Sequence, residues 1–324
     1  MHTEVIALLA AFALAAIAGP IYIPLLTRMK FGQTVRDDGP QTHLKKNGTP
    51  TIGGLIFLTP LVIVCIFLCI SGRAAQVLPL LFVTIGFGFV GFLDDFIKVV
   101  KKRKDGLLWY QKMAALLVVA CGFAAYMQFA TDTGETVEIS LFGASLQVGR
   151  GYFYIPFVIF VLLAATNAVN LTDGLDGLCA GSSFIVFMFF TAVSMFELIN
   201  GGVSAFSAAL AGSLLGFMIF NYHPARVFMG DTGSLALGGA MAACALVLKH
   251  QFMLVSAGLL FVIETLSVML QIGYFKLTKG KRLFKMAPIH HHFEQLGYTE
   301  IKVTYAFWLF TFLCCIITYI AVAM

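Results

Sequence analysis

The sequence predicts an all-α polytopic membrane protein of about ten transmembrane helices. Of its 324 residues, 60% are hydrophobic and 11% are charged, whereas soluble domains carry roughly 25% charged residues. The mean hydropathy is +0.92. Apolar runs of the length a bilayer requires, roughly 20 residues, recur along the whole chain. Such a composition excludes a soluble globular core, and no nucleic-acid partner is expected.

The runs fall at 3–27, 52–71, 77–97, 110–130, 152–169, 179–199, 203–221, 234–249, 252–275 and 303–323. The first has no basic segment before it and is followed by Arg28 and Lys30, so it reads as a retained helix rather than a cleaved signal. Segments 28–50, 98–112 and 276–302 hold most of the lysines and arginines, whereas the opposite connections hold only Arg73, Arg150 and Lys249. The positive-inside rule makes the basic face cytosolic and places both termini outside. The net charge of +5 gathers on that face, where anionic head groups and anionic substrates are attracted. The run 234–249 is short and reads as a tilted or partly interfacial segment. The outside connection 131–151 alternates at Val137-Glu138-Ile139-Ser140 and at Ser145-Leu146-Gln147-Val148, with Gly143 between. This predicts a small outside β-hairpin without a catalytic role. The seven cysteines lie in or beside apolar runs without metal-ligand spacing and read as small apolar filler. The extramembrane segments are too short for a second domain, so residues 1–324 are expected to form a single integral membrane domain.

The polar residues stand out against this background. Asp94 and Asp95 close the third, inward-running span in Gly91-Phe92-Leu93-Asp94-Asp95. A helix C-terminus is the negative end of its dipole, and adjacent carboxylates repel each other. Either solvent and Lys98 neutralise the pair, or a site that handles cations or phosphate offsets the repulsion. The fifth span ends with Asn167, Asn170, Asp173 and Asp176 at three-residue spacing, which share a face where the helix continues. Gly174 and Gly177 allow tight turns and close backbone approach to a ligand. Asp176 alone can N-cap the sixth span, but a series of four exceeds what capping requires. The seventh span leads into the string Asn221 to Ser234, where Asp231 or Thr232 can N-cap the eighth span. A helix N-terminus after a glycine-bearing turn is also an anion site. Asp231 is a candidate ligand for Mg²⁺, a hard cation that takes oxygen donors and bridges to substrate phosphates. The basic, glycine-bearing stretch His43 to Gly54, which includes Lys46, opens the second span and suits phosphate contact.

Three consecutive histidines, His290, His291 and His292, lie within Ala287 to Glu294, in what reads as a basic, cytosol-facing loop. A transition-metal site is one reading. Mg²⁺ prefers oxygen, which favours hydrogen bonding to substrate phosphate or sugar. Glu264 in the ninth span and Glu197 near an outer end are intramembrane acids and functional candidates. Glu264 reads as lying well above the inner motifs, and its role stays open between helix packing and function.

The string from Lys46 to Gly54, the Asp94-Asp95 pair, Asn170 to Gly177, Asn221 to Ser234 and Pro288 to Glu294 together resemble, in that order, the polyprenyl-phosphate N-acetylhexosamine-1-phosphate transferases. Ala287 to Glu294, followed by Gly297 and Glu300, more specifically resembles the phospho-N-acetylmuramoyl-pentapeptide transferase branch. Ile52 stands where that branch usually has Met and Tyr298 where Trp is usual, neither at a position expected to do chemistry. The resemblance covers nearly the whole chain. It implies a ten-helix homodimer with a cytosolic active-site cleft in a bacterial inner (plasma) membrane. It implies UDP-MurNAc-pentapeptide and undecaprenyl phosphate as substrates, lipid I and UMP as products, and Mg²⁺ as cofactor. By motif match, Asp231 is the implied Mg²⁺ ligand, and Asp94 and Asp95 are catalytic or lipid-phosphate-site acids. Asn170, Asp173, Asp176 and Asn221 fall on the nucleotide or metal side. Gly174, Leu175, Asp176 and Phe228 would surround the uracil, with Lys46 beside it. Lys98 and Lys112 would meet pyrophosphate or lipid phosphate, and His290, His291 and His292 would position the substrate. A sibling transferase using UDP-GlcNAc would share the aspartates. A lipid transporter would instead place its polar groups near the bilayer midplane.

Overall fold

The computed structural model describes residues 2–29, 48–101, 106–131, 137–141, 144–148 and 153–324. Lys46 and its basic neighbours lie outside the described residues. Ten helices among the described residues are long and apolar enough to cross a membrane. In chain order the helices are α1 (His2–Arg28), α2 (Leu55–Leu68), α3 (Ala74–Val100), α4 (Trp109–Phe129), α5 (Tyr154–Thr172), α6 (Leu178–Phe196), α7 (Gly201–Asn221), α8 (Gly230–Val247), α9 (Phe252–Ala257), α10 (Leu259–Leu277), α11 (Ile289–Gln295) and α12 (Glu300–Ala323). Strands β1 (Val137–Leu141) and β2 (Ala144–Val148) pair antiparallel between α4 and α5, with Val137 opposite Val148.

Small residues set how closely the helices approach, since packing rather than water exclusion holds helices together in lipid. Ala7, Ala11 and Ala15 form a buried stripe at four-residue spacing along α1. Opposite them on α7, a side chain at Gly212 would run into the Leu8 backbone, and one at Gly216 into Ala15. Large side chains such as Phe82, Phe160 and Ile317 are instead exposed on the bundle's outside, an arrangement that suits lipid.

The segment expected to be tilted or interfacial is in fact the central helix. Every residue of α8 from Thr232 to Leu246 is buried, and the helix packs against α3 and α5. Its short apolar run reflects glycine and alanine content, which lowers hydropathy while permitting close contact: Gly238 abuts the α5 backbone and Gly239 the Phe87 ring. The ninth apolar run is not one helix. It breaks at Gly258 into α9 and α10, consistent with the helix-weakening effect of glycine.

Candidate active site

The C-terminal ends of α3, α5 and α7 meet the N-terminal ends of α8 and α12 at one end of the bundle. The start of α8 is held by backbone pairing before any side chain contributes. Gly53 N–H donates to Phe228 O at 2.8 Å, Gly54 N–H to Met229 O at 2.9 Å, and Phe228 N–H to Pro50 O at 2.9 Å. Gly91 of α3 lies so close that a Cβ there would overlap the Asp231 carbonyl.

Asp231, in the first turn of α8, is the hub. Its Oδ2 accepts from Lys98 Nζ at 2.9 Å and from Lys112 Nζ at 2.8 Å, and its Oδ1 accepts from Asn170 Nδ2 at 2.7 Å. Asn170 also reaches Ser234 Oγ at 2.8 Å. Lys98 Nζ lies 2.6 Å from Asp94 Oδ2 and 3.6 Å from Asp95 Oδ1, so one ammonium serves three acids. One oxygen from each of Asp94, Asp95 and Asp231 falls within 4.8 Å of the others.

The acidic pair is not a solvated loop feature, since Asp94 is 3% exposed and Asp95 is 2% exposed. The two side chains diverge. Asp94 Oδ1 accepts the Leu107 N–H at 2.8 Å, just ahead of α4. Asp95 Oδ2 accepts both the N–H and the hydroxyl of Thr232, at 2.9 and 2.8 Å. The pair does not close its helix, since α3 runs on to Val100, and its negative charge is offset by the positive N-terminal end of α8 and by a shared lysine.

A second cluster organises the turn between α5 and α6. Asp176 Oδ2 accepts the Ala225 N–H at 3.0 Å and lies 3.0 Å from His223 Nδ1. The Asp176 N–H donates to Glu300 Oε1 at 2.6 Å. Asn221 accepts the Gly177 N–H at 3.2 Å and donates to Val227 O at 2.9 Å. Asp173 caps the C-terminal end of α5, Leu175 is buried, and Phe228 is half-buried on the α7–α8 turn. His223 and Glu300 received no role from the sequence. An acid opening α12 was the only local signal for Glu300, because its partner lies 124 residues away. At the end of α7 the Tyr222 and Tyr305 hydroxyls are 2.7 Å apart, and that hydrogen bond raises the Tyr222 phenol above its ordinary value.

The histidines do not form an exposed loop. They lie on α11, where each meets a different partner although the His290 and His291 ring centroids are only 4.1 Å apart. His290 is 0% exposed and its Nδ1 lies 3.0 Å from Glu264 Oε2. His291 Nδ1 lies 2.7 Å from Glu294 Oε2, and His292 Nδ1 accepts the Lys285 N–H at 3.1 Å. Glu264 is therefore not remote from the inner motifs. Through His290, which packs against Gly174, it joins them, because α10 reaches this level within its first two turns.

A family model described as glycosyl transferase family 4 matches residues 77–249, a stretch that contains Asp94, Asp95, Asn170, Asp176 and Asp231. A phospho-N-acetylmuramoyl-pentapeptide-transferase of Acetivibrio thermocellus is 55% identical over 313 residues, covering 97% of this chain and 93% of that protein. Proteins of the same name from Clostridium perfringens and Halalkalibacterium halodurans are each 50% identical, covering 97% and 93% of this chain and 97% and 92% of their own lengths.

Proposed function

Since the chain belongs to glycosyl transferase family 4, among the phospho-N-acetylmuramoyl-pentapeptide transferases, we propose that it moves phospho-MurNAc-pentapeptide from UDP-MurNAc-pentapeptide to undecaprenyl phosphate. The products are lipid I and UMP, and the process served is peptidoglycan biosynthesis. The observation that carries this reading is the Asp231 carboxylate held between Lys98, Lys112 and Asn170, beside two further buried acids. Anionic reactants need such mixed charge: cations to receive phosphate and carboxylates to hold a metal.

The donor set fits Mg²⁺. Carboxylate and amide oxygens are hard ligands, and three acids gather within 4.8 Å against two ammoniums. Asp231, with the Asn170 amide beside it, would hold the ion, which when bound supplies positive charge against the diphosphate.

The chain's own residues do the positioning that phosphoryl transfer mainly demands. A phosphate monoester has its second pKa near 6, so the lipid phosphate is mostly dianionic at neutral pH. Its oxygen attacks the sugar-bearing phosphorus, and the bond to the UMP phosphate breaks with the electron pair leaving on UMP. No proton need move. Both Asp94 oxygens are engaged, by Leu107 N–H and by Lys98, which supports Asp94 as an orienting group rather than a covalent nucleophile. Lys98 and Lys112 would receive the pyrophosphate or lipid phosphate. Gly174, Leu175, Asp176 and Phe228, with Lys46, would enclose the uracil, and Asp173 and Asn221 would shape that pocket. His291 and His292 would face the sugar phosphate. Placing these groups at the cytosolic helix ends of a bacterial plasma-membrane homodimer lets a soluble donor meet a lipid-borne acceptor.

The test is release of UMP from UDP-MurNAc-pentapeptide by the purified protein in detergent. Release should require undecaprenyl phosphate and Mg²⁺ and should stop with a chelator. Turnover with UDP-GlcNAc in place of the pentapeptide donor would overturn the substrate assignment.

A further inference from the structure

Glu264 and His290 lie apart from the carboxylates around Asp231, and both are 0% exposed. Glu264 belongs to α10 and His290 opens α11, so their 3.0 Å contact ties a membrane helix to the short helix that follows it. The contact fixes the plane of the ring, and a carboxylate in its ionised form, which can only accept, selects the tautomer whose proton sits on Nδ1. The opposite edge of the ring faces Gly174, where a Cβ would overlap His290 Nε2. Nε2 has no hydrogen-bond partner among the described residues, and neither has Glu264 Oε1.

An unsatisfied buried polar atom costs about 1–3 kcal/mol. A leucine in place of each partner would avoid that cost. The arrangement therefore serves something other than packing. Gly174 lies in the turn between Asp173, the cap of α5, and Asp176, which the α7–α8 turn and Glu300 hold from the other side. The atoms nearest a Cβ built at Gly174 all belong to the His290 ring.

We infer that Glu264 is a positioning residue: it locks His290, and the locked imidazole braces the Asp173–Leu175 turn. The first histidine of the triplet acts on the protein's own backbone, and the turn it braces is one wall of the nucleotide pocket. The second half of this statement rests on the function proposed above; the brace itself does not.

The experiment compares Glu264→Leu, Glu264→Gln, His290→Leu and the double variant Glu264→Leu/His290→Leu in the purified full-length protein. Two readouts are used: amide hydrogen exchange over residues 170–178, and steady-state kinetics with UDP-MurNAc-pentapeptide and undecaprenyl phosphate. Glu264→Gln keeps an acceptor for Nδ1–H and should behave like the parent. Glu264→Leu should speed exchange in the turn and raise KM for the nucleotide donor on the order of tenfold, as a small misplacement of a binding wall does, with KM for the lipid unchanged. The double variant should be no worse than either single one. Parent-like exchange and KM in Glu264→Leu would overturn the inference. So would equal damage from Leu and Gln, or a His290→Leu defect far beyond that of Glu264→Leu, which would put His290 on the substrate itself. If the parent shows no transfer, the function fails while the exchange measurement still judges the brace.

Discussion

The Asp95 carboxylate of α3 caps α8 from outside: one oxygen accepts the Thr232 backbone N–H at 2.9 Å and the Thr232 hydroxyl at 2.8 Å. The N-terminal N–H groups of a helix need such acceptors, and here the acceptor comes from a different helix, next to Asp94. Two neighbouring acids thus have separate tasks. Removing the cap should cost about 1–2 kcal/mol and let Asp231 drift. We expect Asp95→Ala to lower the detergent melting temperature and the transfer rate together. Thr232→Ser should preserve both, because it keeps the two donors. Parallel melting and UMP-release measurements check this.

Asp231→Asn keeps the shape but removes the charge that faces Lys98 and Lys112. Transfer should fall on the order of 10²–10³-fold, the range for removing one preorganised electrostatic group. Excess Mg²⁺ should not restore it. A Mg²⁺ titration of UMP release in parent and variant gives the comparison.

The two lysines are not equivalent. Lys98 approaches Asp94, Asp95 and Asp231, at 2.6, 3.6 and 2.9 Å, whereas among the described residues the acid Lys112 meets is Asp231, at 2.8 Å. Lys98→Met would leave three acids, two of them buried, short of a counter-ion and should damage stability as well as rate, while Lys112→Met should affect mainly rate. Arginine at 98 should not substitute, because a planar fork cannot replace a compact charge shared by three carboxylates. Melting curves alongside kcat separate the two lysines.

Gly91→Ala places a methyl group against the Asp231 carbonyl. Overpacking of this kind costs about 1–3 kcal/mol and here acts directly on the acid's position, so activity should drop more than membrane insertion does. Gly122→Ala, on α4 with open space around it, is the matched control and should be silent. Expression level and UMP release of the two variants test the contrast.

Helices were legible in the sequence because about 20 apolar residues in a row carry their own signal. The acids gathered at helix ends were legible for the complementary reason, being costly where they stand unless used. What the sequence could not give is partner choice. Asp95 reads as half of a repelling pair until Thr232, 137 residues away, is brought to it. His290 reads as a surface imidazole until α11 forms and turns it toward Glu264. The central place of α8 was hidden by its glycines and alanines, which hydropathy scores as weak although they are what permits burial on all sides.

That enclosure has a mechanical consequence. From Thr232 to Leu246 no face of α8 is open, so the helix cannot roll or slide without displacing α3 and α5 together. Asp231 therefore rides on a helix hemmed in on every side, a fixed reference against which both phosphorylated reactants must align.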